Sequence, residues 1–470
     1  MRYTESGSGV SLSVPFRYYL FAVLSAILSS CQIPFLPEFQ LVCIFLLITL
    51  RVDALAIVLC LIVILCTSVY AIPDPILRAS SQDYPSIYTK GYSFVRLLDV
   101  LTVVIFMYAL PVIRGVIIHK RLLLLYGVLV ISLFSLLFNH FFGVSNYSYL
   151  FFGVRNLLIA VSFALMLKRI APSRISSILV FAMVCWIFKM LFMILLPSDN
   201  VIEREIFGIP WKIFFAGDEY LSFMLICAVL LHVGSDFYPT AKLKSVCYFM
   251  CFLALLLALI SQRKGAVPYF FFSFIMIYCF GRGVISRVFF ATVLLSFTFG
   301  MYIVSGPAYE FLPDSIRSSL GEYNVLYNSA ISSFSHLIAS SPISSLFGLG
   351  PAGLYEIFNL PPTADHIFSF GTEVGERYRY AIWAVPFDRL FLNSGIVGGV
   401  LAVLYIVLTL ARGQGSAYFY MSFSIIPLFG LYGLTPVSSI FIGFALYALT
   451  ASKARINEGP SLGQFRGVSS

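Results

Sequence analysis

Apolar runs about as long as a lipid bilayer is thick recur from one end of this chain to the other. A spanning helix needs about 20 predominantly apolar residues. Fourteen candidate runs lie near 18–34, 36–50, 54–72, 94–113, 122–142, 149–167, 175–196, 213–233, 245–261, 266–281, 288–304, 394–411, 417–432 and 435–451. Closely spaced runs of this kind predict helical hairpins. Of 470 residues, 60% are apolar and 11% charged, against roughly 25% charged in ordinary globular proteins. A water-soluble chain cannot hide that much apolar surface. The expected fold is an all-α polytopic membrane protein with about 12–14 transmembrane helices, which excludes a soluble enzyme, a secreted disulfide scaffold, a coiled coil and a disordered tail protein.

The charge pattern sets an expected orientation. The formal net charge is +9, from 30 Lys and Arg against 21 Asp and Glu. With the N-terminus inside, the short inside segments hold 17 of those basic residues and four acids, Glu5, Asp53, Asp236 and Glu458. Every inside segment carries at least one basic residue, in line with the positive-inside rule. Both termini are expected in the cytoplasm, and the charge needs no nucleic acid to explain it. The 9 cysteines all fall in apolar runs, where a thiol packs as a small apolar group. Cys247 and Cys251 share a helix face, yet no His or carboxylate completes a metal site. Arg17 precedes an apolar run with no small-residue cleavage site at its end, so the first span is expected to remain as an anchor.

These runs divide the chain into a cytoplasmic tail at 1–17, a helix bundle at 18–304, a long outer loop at 305–393, further spans at 394–451 and a cytoplasmic tail at 452–470. The loop carries eight acids and four arginines, and loops of such length commonly hold sites. Within it, residues 322–341 have helical apolar spacing, which Pro342 is expected to end.

Ionisable groups at membrane depth are costly and often functional. Arg96 and Asp99 are three apart, so one helix face can pair them. Arg155 has no acid within reach on its own helix. Lys189 can snorkel outward. Asp218 and Glu219 open the span near 213–233. Ser261-Gln262-Arg263-Lys264-Gly265-Ala266 places two cations together on the expected outer face, against the positive-inside rule. Arginine's fork there suits a phosphate or diphosphate; lipid headgroups would satisfy the same turn. His336, His366 and Asp388 are candidates for a general base, although a histidine without a catalytic role is commoner. No His pair has ligand spacing, so neither a metal nor another cofactor is expected. Gly348-Leu349-Gly350-Pro351-Ala352-Gly353 matches a dinucleotide fingerprint in letters alone. No βαβ unit surrounds it, and a turn is the expected structure.

Several of these stretches, in their order, resemble the O-antigen polymerase and O-antigen ligase family of bacterial inner-membrane glycosyltransferases. Asp218 and Glu219 follow Phe215-Ala216-Gly217, as in the family's mid-chain outer turn. Ser261–Ala266 looks like its Ser-x-Arg-Gly turn. Ala339–Gly353 is similar to its Pro-Leu-x-Gly-x-Gly stretch, and Leu390–Gly399 to its closing Leu…Gly-Ile-Ile-Gly. The likeness covers the topology and roughly residues 210–411. Where ligases carry a His-Asn pair, this chain has Ala384-Val385-Pro386-Phe387-Asp388-Arg389, which favours the polymerase side. Lys264 also departs from the simple turn.

The resemblance implies a GT-C-like fold and transfer of a glycan from undecaprenyl diphosphate to a hydroxyl of another lipid-linked repeat unit, on the periplasmic side of the inner membrane. By that analogy Arg263 holds the diphosphate; Lys264, Arg155, Arg377, Arg379 and Arg389 are helpers; and His366 or Asp388 is the base. The implied partners are the undecaprenyl-diphosphate-linked oligosaccharide, membrane lipids and a possible chain-length regulator. Two alternatives remain: a ligase, or a flippase for lipid-linked sugars. Transporters often show related halves and helices interrupted at matching positions, and neither is legible here.

Overall fold

The computed structural model describes residues 14–31, 33–68, 86–88, 90–92, 95–111, 122–141, 147–195, 202–206, 209–213, 241–260, 306–314, 342–350, 354–356, 378–380, 386–411, 425–431 and 435–451, with single positions at 292, 303, 317, 335, 338 and 339. They are mostly helical. In chain order the helices are α1 (Phe16–Ser30), α2 (Leu36–Thr49), α3 (Ala54–Thr67), α4 (Leu97–Ala109), α5 (Leu123–Phe141), α6 (Tyr147–Leu167), α7 (Pro172–Leu195), α8 (Ala241–Ile260), α9 (Pro342–Phe347), α10 (Pro386–Ala411), α11 (Ile426–Phe429) and α12 (Pro436–Ala451).

Three two-stranded antiparallel hairpins add to the all-α expectation: β1 (Gly91–Tyr92) with β2 (Val95–Arg96), β3 (Ile202–Ile206) with β4 (Ile209–Ile213), and β5 (Leu354–Glu356) with β6 (Tyr378–Tyr380). Pro342 opens α9; the helix expected over 322–341 falls almost wholly outside the described residues. The fixed φ and missing N–H of Pro342 suit the first turn, where that donor would have no partner.

α3 is the centre of the bundle. Its sequence, ALAIVLCLIVILCT, is apolar all round, and a helix of that kind has no face to give to water. It packs against α1, α2, α6, α7 and α12. α6 in turn packs on α4 and α12, and α5 on α10. Phe163 of α6 meets Phe444 of α12 edge to face at 5.0 Å. Gly443 lets these two helices approach, since a Cβ there would lie 2.9 Å from the Ala160 carbonyl oxygen.

One end of the bundle gathers polar groups, and is called the upper end below. Lys90, before α4, pairs with Glu38 at the start of α2 and donates to the Pro34 carbonyl. Thr67, in the last turn of α3, shares a hydrogen bond with Ser25 of α1 at 2.8 Å, and Gln40 of α2 donates to the same Ser25. The link from α5 to α6 is only five residues, 142–146. The C-terminal half of α5 and the N-terminal half of α6 therefore share an end.

Two helices, over Arg174–Met193 and Leu390–Thr409, are long and apolar enough to cross a membrane; the other apolar helices found are shorter. Large apolar side chains also stand exposed in rows along single helix faces. Phe35, Phe39, Val42, Leu46 and Leu50 line one face of α2; Ile396, Val400, Val403 and Val407 line one face of α10.

Candidate functional site

Arg155 sits in α6 with its guanidinium almost wholly enclosed. Its Nη1 donates to Asp99 Oδ1 of α4 at 3.0 Å. The other carboxylate oxygen of Asp99 accepts the backbone N–H of Arg96 at 3.2 Å. That contact is a helix cap: an acid at the third position takes an N–H that the first turn of α4 cannot satisfy. Asp99 thus closes its own helix start and holds a cation from another helix. Both carboxylate oxygens of Asp99 thus have partners, one in the Arg96 backbone N–H and one in Arg155. The partner that Arg155 lacks on its own helix stands 56 positions earlier in the chain.

The snorkelling expected of Lys189 is corrected by its burial. Its residue is 2% exposed and ranks among the largest fully buried side chains of the bundle. It lies in α7, which packs against α1, α3 and α8. A lysine stem that reached water would leave its ammonium exposed, and this one is enclosed.

The second constellation lies where α10 breaks. Gly395 has φ 64° and ψ −168° inside a run that is otherwise helical. Against it rests the segment that follows α9. Gly348 has φ 89° and Gly350 φ 73°, so the GLGPAG stretch opens with a turn. It follows a helix and precedes a strand, the reverse of a dinucleotide-binding unit.

Backbone meets backbone at this point. A Cβ on Gly395 would lie 2.3 Å from the Leu346 carbonyl oxygen, and one on Gly348 would lie 2.6 Å from the Gly395 nitrogen. Leu349 N–H donates to the Leu392 carbonyl at 2.6 Å. Asn393 Nδ2 donates to the Gly430 carbonyl, at the end of α11, at 2.9 Å. Ser135 of α5 bonds the Phe347 carbonyl. Hydrogen bonds thus join α5, the end of α9 with the segment after it, the first half of α10 and the end of α11 at this joint.

The sequence-predicted residues fall unevenly around this geometry. Arg155 is placed as described. Arg379 lies in β6, opposite Tyr355 of β5. Asp388 and Arg389 lie in the first turn of α10, in the half-helix that ends at Ser394. Arg263, Lys264, Arg377, His366, His336, Asp218 and Glu219 lie outside the described residues. Two roles not read from the sequence emerge here: Asp99 as a cross-helix partner, and Asn393 as the link between α10 and the end of α11. Among the described residues no three His, Cys, Asp or Glu side chains are grouped to hold a metal ion. No family model matches the chain, and neither a curated protein nor a solved structure matches it.

Proposed function

We propose that this chain is a multi-pass glycosyltransferase of the bacterial inner membrane that polymerises undecaprenyl-diphosphate-linked repeat units on the periplasmic face, into O-antigen, capsule or exopolysaccharide. The observation that carries the reading is the docking of Gly348 on Gly395. The two stretches behind the late part of the resemblance, 339–353 and 390–399, are far apart in sequence and meet in one joint. Arg155 lies in the same half of the bundle, because Ser135 and Arg155 flank the short α5–α6 link. The exposed apolar rows on α2 and α10 fit a lipid surround, and the two helices of spanning length fit a bilayer crossing. The remaining spans, the cytoplasmic termini and the periplasmic loop belong to the same proposal.

The chemistry asks little of the protein. An acceptor hydroxyl oxygen attacks the anomeric carbon of the donor sugar. Its proton passes to a base, His366 or Asp388. The bond from that carbon to the diphosphate oxygen breaks, and undecaprenyl diphosphate leaves. Arg263 holds the charge that grows on the leaving group, with Lys264, Arg155, Arg377, Arg379 and Arg389 as supports. A guanidinium has five N–H donors, so the Asp99 contact does not exhaust Arg155.

Replacing Arg263 with Ala tests this. Long-chain glycan is lost while the protein stays in the membrane; normal polymer from the variant overturns the assignment. The break in α10 favours a second reading, a flippase for the same lipid-linked sugar, since interrupted helices mark transporter sites. A deletion strain separates the two. Loss of a polymerase leaves surface glycan one repeat unit long, and loss of a flippase leaves none.

A further inference from the structure

α10 consists of two half-helices, residues 386–394 and 396–411, which meet at Gly395. The first carries Asp388 and Arg389 near its start. Gly395 adopts a left-handed φ, which an L side chain disfavours by about 1–2 kcal/mol, so the chain changes direction there. The direction of the first half-helix is then set by what its last turn is bonded to. Leu392 accepts from Leu349, and Asn393 reaches across to Gly430. Asn393 is fully buried, and its amide donates to a backbone carbonyl that no substitution of a side chain can remove.

We propose that Asn393 is a positioning residue for the transfer reaction. By donating to Gly430 it fixes the 386–394 half-helix and with it the place of Asp388 and Arg389 over the joint. This rests on the polymerase reading above. Asn393 touches neither donor nor acceptor; it acts through the residues one and more turns before it. A misplacement of about 1 Å at a reacting group costs about 100-fold in rate, so a single buried hydrogen bond at the foot of this short helix has large leverage.

The test uses the full chain in the strain whose glycan it makes, with Asn393→Leu and Asn393→Asp. Leucine has no donor. A carboxylic acid donates one O–H when protonated and none when ionised, so the aspartate variant reports on the donated hydrogen bond. Asn393→Leu is expected to lose long-chain glycan about 100-fold at every external pH, with its amount in the membrane unchanged. Asn393→Asp is expected to make long chains at low external pH and to lose them as pH rises. A wild-type ladder from Asn393→Leu, a loss that only tracks the amount of protein in the membrane, or one pH profile shared by both variants overturns the inference. Arg263→Ala run alongside separates the two claims. Normal polymer from Arg263→Ala overturns the polymerase site, whereas lost polymer there with normal polymer from Asn393→Leu overturns the role of Asn393 alone.

Discussion

Arg155 of α6 and Asp99 of α4 form an ion pair 3.0 Å long between two helices, with the arginine side chain 6% exposed and the aspartate 28%. Asp99 also caps the start of α4 through the Arg96 N–H. One carboxylate therefore sets a helix start, a helix–helix contact and the orientation of a buried cation.

Breaking this pair on one side is expected to cost more than removing it whole. A lone buried charge costs about 3–5 kcal/mol. Asp99→Ala, which takes the carboxylate from Arg155, is expected to destabilise the detergent-solubilised protein by about 3 kcal/mol. Asp99→Asn with Arg155→Met is expected to recover most of that. Thermal unfolding of both single variants and the double variant checks this, and additive losses would show that the two side chains do not act as a pair.

The glycines differ in what a methyl group would meet. At Gly395 and Gly348 the obstacle is backbone, at 2.3 and 2.6 Å, and both φ values are positive. At Gly127 it is the Cδ1 end of Leu401 at 2.9 Å, which can rotate. Gly395→Ala and Gly348→Ala are each expected to cost more than about 3 kcal/mol, through strain and a shifted backbone. Gly127→Ala is expected to cost less than about 1 kcal/mol, because the added methyl also favours helix. Membrane yield and melting temperature of the three variants give the comparison.

The opposite end of α4 is held by Arg169, which follows α6. Its Nη2 donates to the Tyr108 carbonyl at 3.0 Å, and its guanidinium lies 4.5 Å from the centre of the Tyr108 ring. A cation at a helix C-terminus meets carbonyls that have no partner within the helix. Arg169→Ala is expected to cost about 1 kcal/mol. Arg169→Lys is expected to recover little, since an ammonium lacks the flat fork that both bonds and stacks. Unfolding measurements on the two variants decide it.

Beside it, burial pushes the Lys168 ammonium below the usual lysine range. Its pKa is lower folded than unfolded, so the unfolded chain binds more protons between the two values. Stability is then expected to rise with pH through that window, up to the ordinary lysine value of about 10.4. Lys168→Met removes the group, and the slope of its unfolding free energy against pH is expected to be flatter there than that of the wild type.

Much of the helical bundle was legible because apolar length is a local property. The ALAIVLCLIVILCT run of α3 shows from sequence alone that no face meets water. Helix ends were less so: the run read as 54–72 is helical to Thr67, and α10 begins at Pro386, inside the segment read as loop. The β3–β4 hairpin had a signal, two five-residue segments bounded by isoleucine and separated by Phe207-Gly208, a spacing suited to a two-residue turn. The Arg155–Asp99 pair had none, because its partners lie on different helices. The break at Gly395 was hidden for a different reason. Residues 390–400 read as the start of an apolar span despite Asn393 and Ser394, and only the backbone angle at Gly395, in contact with Gly348, marks the position.

The central claim is that the Arg263-Lys264 turn and the late segment leading into α10 work on the external face. Single cysteines at positions 264 and 378, in a chain whose 9 native cysteines are replaced, test it with a membrane-impermeant thiol reagent. Both positions are predicted to label in cells with an intact inner membrane. Labelling of either one only after that membrane is opened would contradict the account.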